Sequence, residues 1–355
     1  MRTHAELHSL RVAAIDELTD DSVAITFEVP EELRDEYEFR HGQHLSIRGG
    51  DDVRRSFSIC TPPSSGVLRI GVKRLPGGAF SEGVVGSLRV GDELEVMTPA
   101  GRFTSELDPT AAKRYVAVAA GSGITPVLSI VAALLEGEPG SRVALVYANR
   151  TSRSVMFLEE VHGLKDRFPD RLQIIHVLSR ERQDVELLSG RLDGDRFRAV
   201  IDAFRLGDAD DWFLCGPQQL VAELRSVLGD LGAKRVHTEL FHADPVPRAP
   251  VVVLDDEADG EGGAAAVTIR LDGRASDFPL RPDGPPVLEA GLAVRSDLPF
   301  ACRGGVCGTC RAKLVEGTVQ MDQNYALEPE EVERGYVLTC QSHSTSQTVV
   351  LDYDG

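Results

Sequence analysis

The chain has 355 residues, 42% of them hydrophobic and 26% charged, with a mean hydropathy of −0.12. At roughly 100–200 residues per domain this predicts two or three globular domains and argues against a long disordered chain. The 38 basic and 56 acidic residues leave a formal charge of −18, which argues against nucleic acid or an anionic membrane as partner. The longest apolar run, residues 127–135, is far shorter than the ~20 residues of a membrane span. The N-terminus lacks the apolar core of a signal peptide, so a cytoplasmic location is expected.

Residues 1–110 read as all-β. Short alternating runs at 10–15, 22–29, 44–48, 56–61, 67–73 and 93–97 are separated by turn formers such as Gly42, Pro62-Pro63 and Gly91-Asp92, the pattern of a small antiparallel six-stranded β-barrel. From 111 to 242 the rhythm changes. Apolar strand-like runs at 115–120, 143–147, 172–178, 212–215 and 235–241 alternate with helix-like segments at 126–135, 155–168 and 218–228. That alternation predicts an α/β doubly wound parallel sheet with helices on both faces. Residues 243–264 carry Pro245, Pro247 and Pro250 and then an acidic, Gly- and Ala-rich stretch, which reads as a flexible linker. Residues 265–355 are expected to form a third, α+β unit of short strands with a helix near 287–294.

The most specific signal is in that last unit. Cys302 and Cys307 are separated by four residues, Cys307 and Cys310 by two, and Cys340 follows after 29. This is the plant-type spacing for a [2Fe–2S] cluster, in which four thiolates hold two irons. Gly304, Gly305 and Gly308 let the backbone wrap closely and aim N–H groups at sulfur. A zinc site would favour paired knuckles, and Cys340 has no near partner of that kind.

Two nucleotide sites are suggested upstream. Arg55-Ser56-Phe57-Ser58 lies on an expected strand, followed by Lys73 and then Gly78-Ala79-Phe80-Ser81. A flavin dinucleotide needs a cation for its pyrophosphate, a ring against the isoalloxazine and a small donor near the flavin N5. Arg55, Phe57 and Ser58 supply those types, Gly78 permits close approach, and Ser81 offers a hydroxyl to phosphate. Taken alone, this motif equally describes an edge-strand arginine and a core phenylalanine. Gly121, Gly123, Thr125 and Pro126 follow a strand and open a helix, as a pyrophosphate-binding turn would, although the third glycine of the Rossmann fingerprint is absent. No acid stands in Ala148-Asn149-Arg150 after the next strand, where an NAD-selective site often has one. Arg150, Ser152 and Arg153 are there instead, with Arg180 and Arg182 after the following strand, which favours NADPH over NADH. Cys215-Gly216-Pro217 ends a strand, placing a small thiol where a nicotinamide ring would need access; the alternative is a buried structural cysteine. Glu239 and Phe241 close the second domain.

In this order, Arg55–Ser58, 78–81, 121–126, 215–217 and 239–241 resemble the ferredoxin–NADP reductase superfamily, and the cysteine loop resembles a plant-type ferredoxin fused at the C-terminus. The stretches 39–45, 147–152, 187–193 and 324–329 are similar to the reductase subunits of phenylacetyl-CoA epoxidases. The resemblance implies FAD on the barrel, NADPH on the second domain and the cluster in a β-grasp domain. It also implies electron flow from NADPH through FAD and the cluster to the diiron oxygenase component of a multicomponent monooxygenase, in aerobic phenylacetate breakdown. Ser58, Cys215 and Glu239 are the expected catalytic set. The superfamily usually has tyrosine where this chain has Phe57, so ring stacking is kept and a hydroxyl is lost. The alternatives are service to another oxygenase, for an aromatic ring or a steroid, and a non-enzymatic redox carrier or sensor. Residues 243–355 hold ten of the eighteen excess negative charges, which suggests docking of an acidic ferredoxin end to a basic patch on the partner.

Overall fold

The computed structural model describes residues 6–49, 54–75, 79–241 and 264–355. Gly78 and residues 243–263 of the expected linker lie outside the described residues. Leu7–Phe241 form one compact unit, and the C-terminal residues form a second.

Six strands open the first unit: β1 Leu7–Thr19, β2 Ser22–Glu28, β3 His44–Arg48, β4 Arg54–Ser58, β5 Leu68–Lys73 and β6 Glu93–Met97. They pair antiparallel in the order β4-β3-β6-β1-β2-β5. Alternation drives this, because Leu10 and Val12 of β1 are buried between exposed Ser9, Arg11 and Ala13, the period-2 pattern of a strand with one face on a core. The sheet curls until its edges meet. Ile59, just past β4, bridges Ile70 of β5, and the Cys60 amide donates to the Arg69 carbonyl at 2.9 Å. Closure of the barrel therefore falls immediately after Ser58. A short helix, α1 (Ala79–Ser87), follows β5.

Next come β7 Arg114–Ala120, α2 Ile124–Gly137, β8 Arg142–Asn149, α3 Leu158–Arg167, β9 Leu172–Leu178, α4 Gly194–Phe204, β10 Asp211–Gly216, α5 Gln218–Asp230 and β11 Val236–Leu240. The five strands are parallel in the order β11-β10-β7-β8-β9. Tyr115, Ala117 and Ala119 of β7 pack toward the cluster that holds α2 and α3, while Val116 and Val118 pack with α4 and α5. Burial on both faces is why these strands read as unbroken apolar runs.

Two helices depart from expectation. The 155–168 segment becomes helical only at Leu158, because Phe157 adopts a left-handed backbone (φ 56°) with its ring buried. Helix α4 escaped the sequence reading. Its signal is Asp193, whose carboxylate accepts the Arg196 amide at 2.9 Å as an N-cap.

Barrel and sheet share one core. Ala24, Cys60 and Phe103 belong to the same buried cluster as α2 and β10, and the Ser129 hydroxyl of α2 donates to the Thr61 carbonyl at 2.6 Å. Gly71 of β5 is the contact point. A Cβ there would lie 2.4 Å from Thr125 Cγ2 and 2.9 Å from the Phe157 ring.

The second unit contains β12 Ala265–Leu271, β13 Arg274–Leu280, α6 Val287–Val294, β14 Arg311–Glu316, β15 Val319–Met321, α7 Pro329–Glu333, β16 Tyr336–Leu338, β17 Ser342–Ser344 and β18 Thr348–Asp352. A mixed sheet in the order β13-β12-β18-β14-β16, with β12 and β18 parallel, accompanies a two-stranded β15-β17 ribbon. Helix α6 packs closely through Gly291, whose added Cβ would be 2.8 Å from both Ile269 and Leu298. Among the described residues, no helix is long and apolar enough to cross a membrane.

Candidate functional site

The loop before β14 gathers Cys302, Cys307 and Cys310, and the turn after β16 brings Cys340 to them. Cys310 and Cys340 are buried, whereas Cys302 and Cys307 are half-buried. The backbone amides of Gly304, Val306 and Cys307 all donate to Cys302 Sγ at 3.4 Å. Left-handed backbone at Arg303, Gly305 and Gly308 turns those amides inward. The two cluster segments are tied together, since Thr339 donates from N and Oγ1 to the Cys310 carbonyl (3.2 and 2.9 Å). Gln341 Nε2 donates to the carbonyls of Arg303 and Cys340, both at 2.9 Å, and lies 3.7 Å from Cys340 Sγ.

The four sulfurs also interact. A hydrogen bond from Cys307 and the three amides bring the Cys302 thiol down to about 6 against the opposing effect of burial. Cys310 likewise lowers Cys340, while Cys307 and Cys310 are pushed up as donors in each pair. Thiolate is the metal-binding form. A converging set of four thiols wrapped by amide donors fits a [2Fe–2S] cluster and supplies the sulfur ligands it needs.

In the first unit, Ser58, Cys215 and Glu239 come from three separate strands. Parallel register places Cys215 of β10 beside Glu239 of β11 and Ala119 of β7. Across the barrel boundary, buried Ser58 Oγ donates to Glu239 Oε2 at 3.1 Å. Surrounding protein strips water from the Glu239 carboxyl and raises its pKa to about 8, against the lowering effect of the Ser58 hydrogen bond. Burial, and then Glu239, push the Cys215 thiol well up, so it is a neutral, compact group and not a thiolate nucleophile.

Along β4, Arg55 is exposed and Phe57 half-buried against the barrel core, while Ser56 Oγ lies 3.2 Å from Ser46 Oγ on the other face. The Arg55 guanidinium donates to the Arg54 carbonyl at 2.9 Å. Lys73 is ion-paired with Asp21 at 3.2 Å. Ser81 Oγ accepts the Leu75 amide at 3.1 Å, and Phe80 lies on α1. An exposed guanidinium and a half-exposed ring on one face of β4, with the Ser58 hydroxyl on the other face bonded to Glu239, are a donor set suited to a flavin dinucleotide.

The glycine turn is packed to tolerance. Gly121 has φ 55°, and its carbonyl accepts the buried Tyr147 hydroxyl at 3.2 Å. A Cβ at Gly123 would stand 2.3 Å from the Cys215 carbonyl oxygen, and one at Gly216 2.9 Å from Ala120 Cβ. Thr125 donates to the Ser122 carbonyl at 2.9 Å. Helix α2 starts at Ile124, two residues before the expected 126. Pro217 caps α5, and Phe241 packs against the shared core to which Cys215 belongs.

Arg150 and Arg153 are exposed beyond the C-terminal end of β8. Strand pairing continues past both strand ends, with the amides of Ser179 and Arg180 donating to the carbonyls of Asn149 and Arg150 (2.9 and 2.8 Å). This draws Glu181 against Ser152, whose amide and hydroxyl both donate to Glu181 Oε2, at 2.8 and 2.9 Å. The sequence reading found no acid after β8 and missed this one, because it arrives from the next strand; its signal was its place between Arg180 and Arg182.

Comparison with known proteins matches three family models along the chain. The family model "Oxidoreductase FAD-binding domain" matches residues 9–105, "Oxidoreductase NAD-binding domain" residues 117–226, and "2Fe-2S iron-sulfur cluster binding domain" residues 269–345. The chain is 42% identical to a subunit of the 1,2-phenylacetyl-CoA epoxidase of Escherichia coli (strain K12), covering 98% of each chain. It is 35% identical to the ferredoxin reductase component of 3-ketosteroid-9-alpha-monooxygenase from Rhodococcus rhodochrous, covering 97% of this chain and 96% of the relative. The crystal structure of phthalate dioxygenase reductase has the same fold, with a TM-score of 0.58 at 23% identity over 98% of each chain. The chain belongs to the ferredoxin–NADP reductase-like family of FAD- and NAD(P)-binding reductases with a C-terminal [2Fe–2S] ferredoxin domain, the electron-transfer components of multicomponent oxygenases.

Proposed function

We propose that this chain is the NADPH-dependent reductase of a phenylacetyl-CoA epoxidase-type monooxygenase with a diiron oxygenase component. The observation that carries the reductase chemistry is the junction of Ser58, Cys215 and Glu239, built from both nucleotide-binding halves of one compact unit. Identity of 42% across 98% of both chains with a phenylacetyl-CoA epoxidase component supports the choice of partner. When bound, nicotinamide, flavin and cluster together turn a two-electron hydride donor into a source of single electrons.

In this reading the domains divide at 110 and 242, with a linker over 243–264. Arg55 meets the flavin pyrophosphate, Phe57 lines its ring system with the Ser56 backbone alongside, and Ser58 offers its hydroxyl at the reacting edge. Gly78, Phe80 and Ser81 border the phosphates. Lys73, held by Asp21, contributes field more than contact. Gly121, Gly123 and Thr125 shape the turn for the second pyrophosphate, and Gly216 and Pro217 leave the nicotinamide room beside Cys215. Glu239, neutral at pH 7, holds Ser58 in place without placing a charge next to the reacting rings. Phe241 supports that wall. Cys302, Cys307, Cys310 and Cys340 ligate the cluster. The basic edge of Arg150 and Arg153 supports NADPH over NADH.

An anaerobic NADPH titration followed by absorbance and EPR tests the scheme. Bleaching of flavin and cluster, with a signal from a reduced [2Fe–2S] centre, is expected; flavin bleaching with no such signal defeats it. Reconstitution with a phenylacetyl-CoA epoxidase oxygenase component tests the partner, and turnover only with a steroid or aromatic-ring oxygenase refutes that choice. Alanine at both Arg150 and Arg153 is expected to raise KM for NADPH and spare NADH.

A further inference from the structure

We infer that Glu181 is a resident anion in the 2′-phosphate pocket, which a 2′-phosphorylated coenzyme must displace and which thereby narrows the preference for NADPH. This deepens the NADPH reading above and rests on it for the place of the adenosine ribose.

That place follows from topology. A nucleotide lying on the Gly121–Gly123 turn at the end of β7 extends its adenosine toward the end of β8, the neighbouring strand in register (Ala120 opposite Ala148). Beyond that end stand Arg150, Ser152 and Arg153, and the continued pairing of the two chain segments sets Arg180 against Arg150, with Arg182 two residues further along the chain. Ser152, offering both an amide and a hydroxyl, and Arg153, whose charge acts on the same carboxylate, form a donor set for a dianion on segments that also carry Arg150, Arg180 and Arg182. The anion in place is a carboxylate. Glu181 Oε2 takes both Ser152 donors, at 2.8 and 2.9 Å. The Ser152 amide and hydroxyl, with the Arg153 guanidinium, hold its carboxyl below the usual carboxylate range, so it is charged at neutral pH and repels an arriving phosphate.

The two coenzymes meet this carboxylate differently. A ribose 2′-hydroxyl can donate to it, so NADH binds with Glu181 in place. A 2′-phosphate is mostly the dianion at neutral pH, with few protons to give, and it competes for the same Ser152 donors. It gains the arginines only after the carboxylate has moved away. Glu181 thus assists one coenzyme and opposes the other, while the arginines do the reverse.

The test uses the holoenzyme and two probes that differ only in the 2′ group, adenosine 2′,5′-bisphosphate and 5′-AMP, with affinities from calorimetry. For Glu181→Gln, the bisphosphate is expected to bind about tenfold tighter, the scale of one lost like-charge contact, with 5′-AMP unchanged or weaker. In steady state, kcat/KM for NADPH should rise by a similar factor while that for NADH does not. Adding Ser152→Ala should remove part of the gain, because the hydroxyl donor is then gone while the backbone amide remains. Equal changes for both probes, or none, overturn the inference. The NADPH reading fails separately: a wild-type enzyme that prefers NADH refutes it, yet leaves selective tightening by Glu181→Gln intact. Conversely, an NADPH preference lost in the Arg150/Arg153 variant, with Glu181→Gln inert, upholds the reading and refutes the inference.

Discussion

In the proposed function the cysteine loop and the Ser58–Cys215–Glu239 junction solve the same problem of holding an electron carrier, and they are built by opposite routes. Three of the four sulfurs lie within nine residues, and backbone amides of that same loop donate to one of them. The junction instead draws one residue from each of three strands, and the side-chain hydrogen bond that joins two of its members spans 181 residues. A local site depends on residue identity and loop conformation. An assembled site depends on how closely two halves of a fold approach, so its most sensitive positions are glycines outside the chemistry.

The largest effect is expected in the loop. Cys307→Ser replaces a thiolate with a poor iron ligand, and loss of the cluster should be complete by iron and sulfide analysis and by EPR. Because the junction is a separate construction, NADPH-dependent reduction of ferricyanide should survive. Loss of both activities together would mean that the two sites are not independent.

Second comes Gly123→Ala. Its Cβ would meet backbone, the Cys215 carbonyl at 2.3 Å, which cannot rotate away. Gly71→Ala meets side chains, Thr125 Cγ2 and the Phe157 ring, which can. Overpacking costs about 1–3 kcal/mol; Gly123→Ala should reach or exceed the top of that range and Gly71→Ala fall within it, in denaturant unfolding of the holoenzyme. The reverse order would show that β5 against α2, and not the turn against β10, limits the approach.

The same contrast governs what the sequence revealed. Spacing alone identified the cluster, because four ligands at fixed intervals leave few alternatives. The strand pattern identified barrel and sheet, since alternation and unbroken apolar runs record one-sided and two-sided burial. Ser58 and Cys215 were suggested by residue type and position, but their junction with Glu239 was not legible; nothing local to Glu239 says that a hydroxyl from residue 58 will donate to it. Glu181 was invisible for a related reason, since its partner Ser152 lies across a strand pairing that continues past the regular elements. Phe157's left-handed backbone, which shortened α3, is set by packing of its ring near Gly71 and under the Arg69 guanidinium.

A pH-dependent effect separates the two sites. The Glu239 carboxyl titrates near 8 in the folded protein, above its ordinary value of 4.5. The folded state therefore holds a proton that the unfolded chain has released. The stabilisation from this is fully present below about pH 4.5, is lost as pH rises to about 8, and changes no further above that. Glu239→Gln carries no titratable proton there. Unfolding free energies of wild type and variant should thus diverge in the variant's favour between about pH 5 and about pH 8 and then run parallel. A difference independent of pH would place the carboxyl in water and remove the basis for treating Glu239 as neutral.

The smallest effect returns to the loop. Gln341 ties the segment bearing Cys340 to the one bearing Cys302 through the Arg303 carbonyl, and its amide approaches Cys340 Sγ at 3.7 Å. Gln341→Leu removes a hydrogen bond worth about 0.5–1.5 kcal/mol but none of the ligands, so iron content should be unchanged. An N–H dipole near a ligating sulfur favours the more negative, reduced cluster, and its loss should move the reduction potential to a more negative value. A measured shift of that sign with full iron occupancy would show that even a site defined by local spacing is tuned by a side chain beyond its ligands. An unchanged potential would mean that the backbone amides supply the tuning alone, and that Gln341 serves only to hold the two segments together.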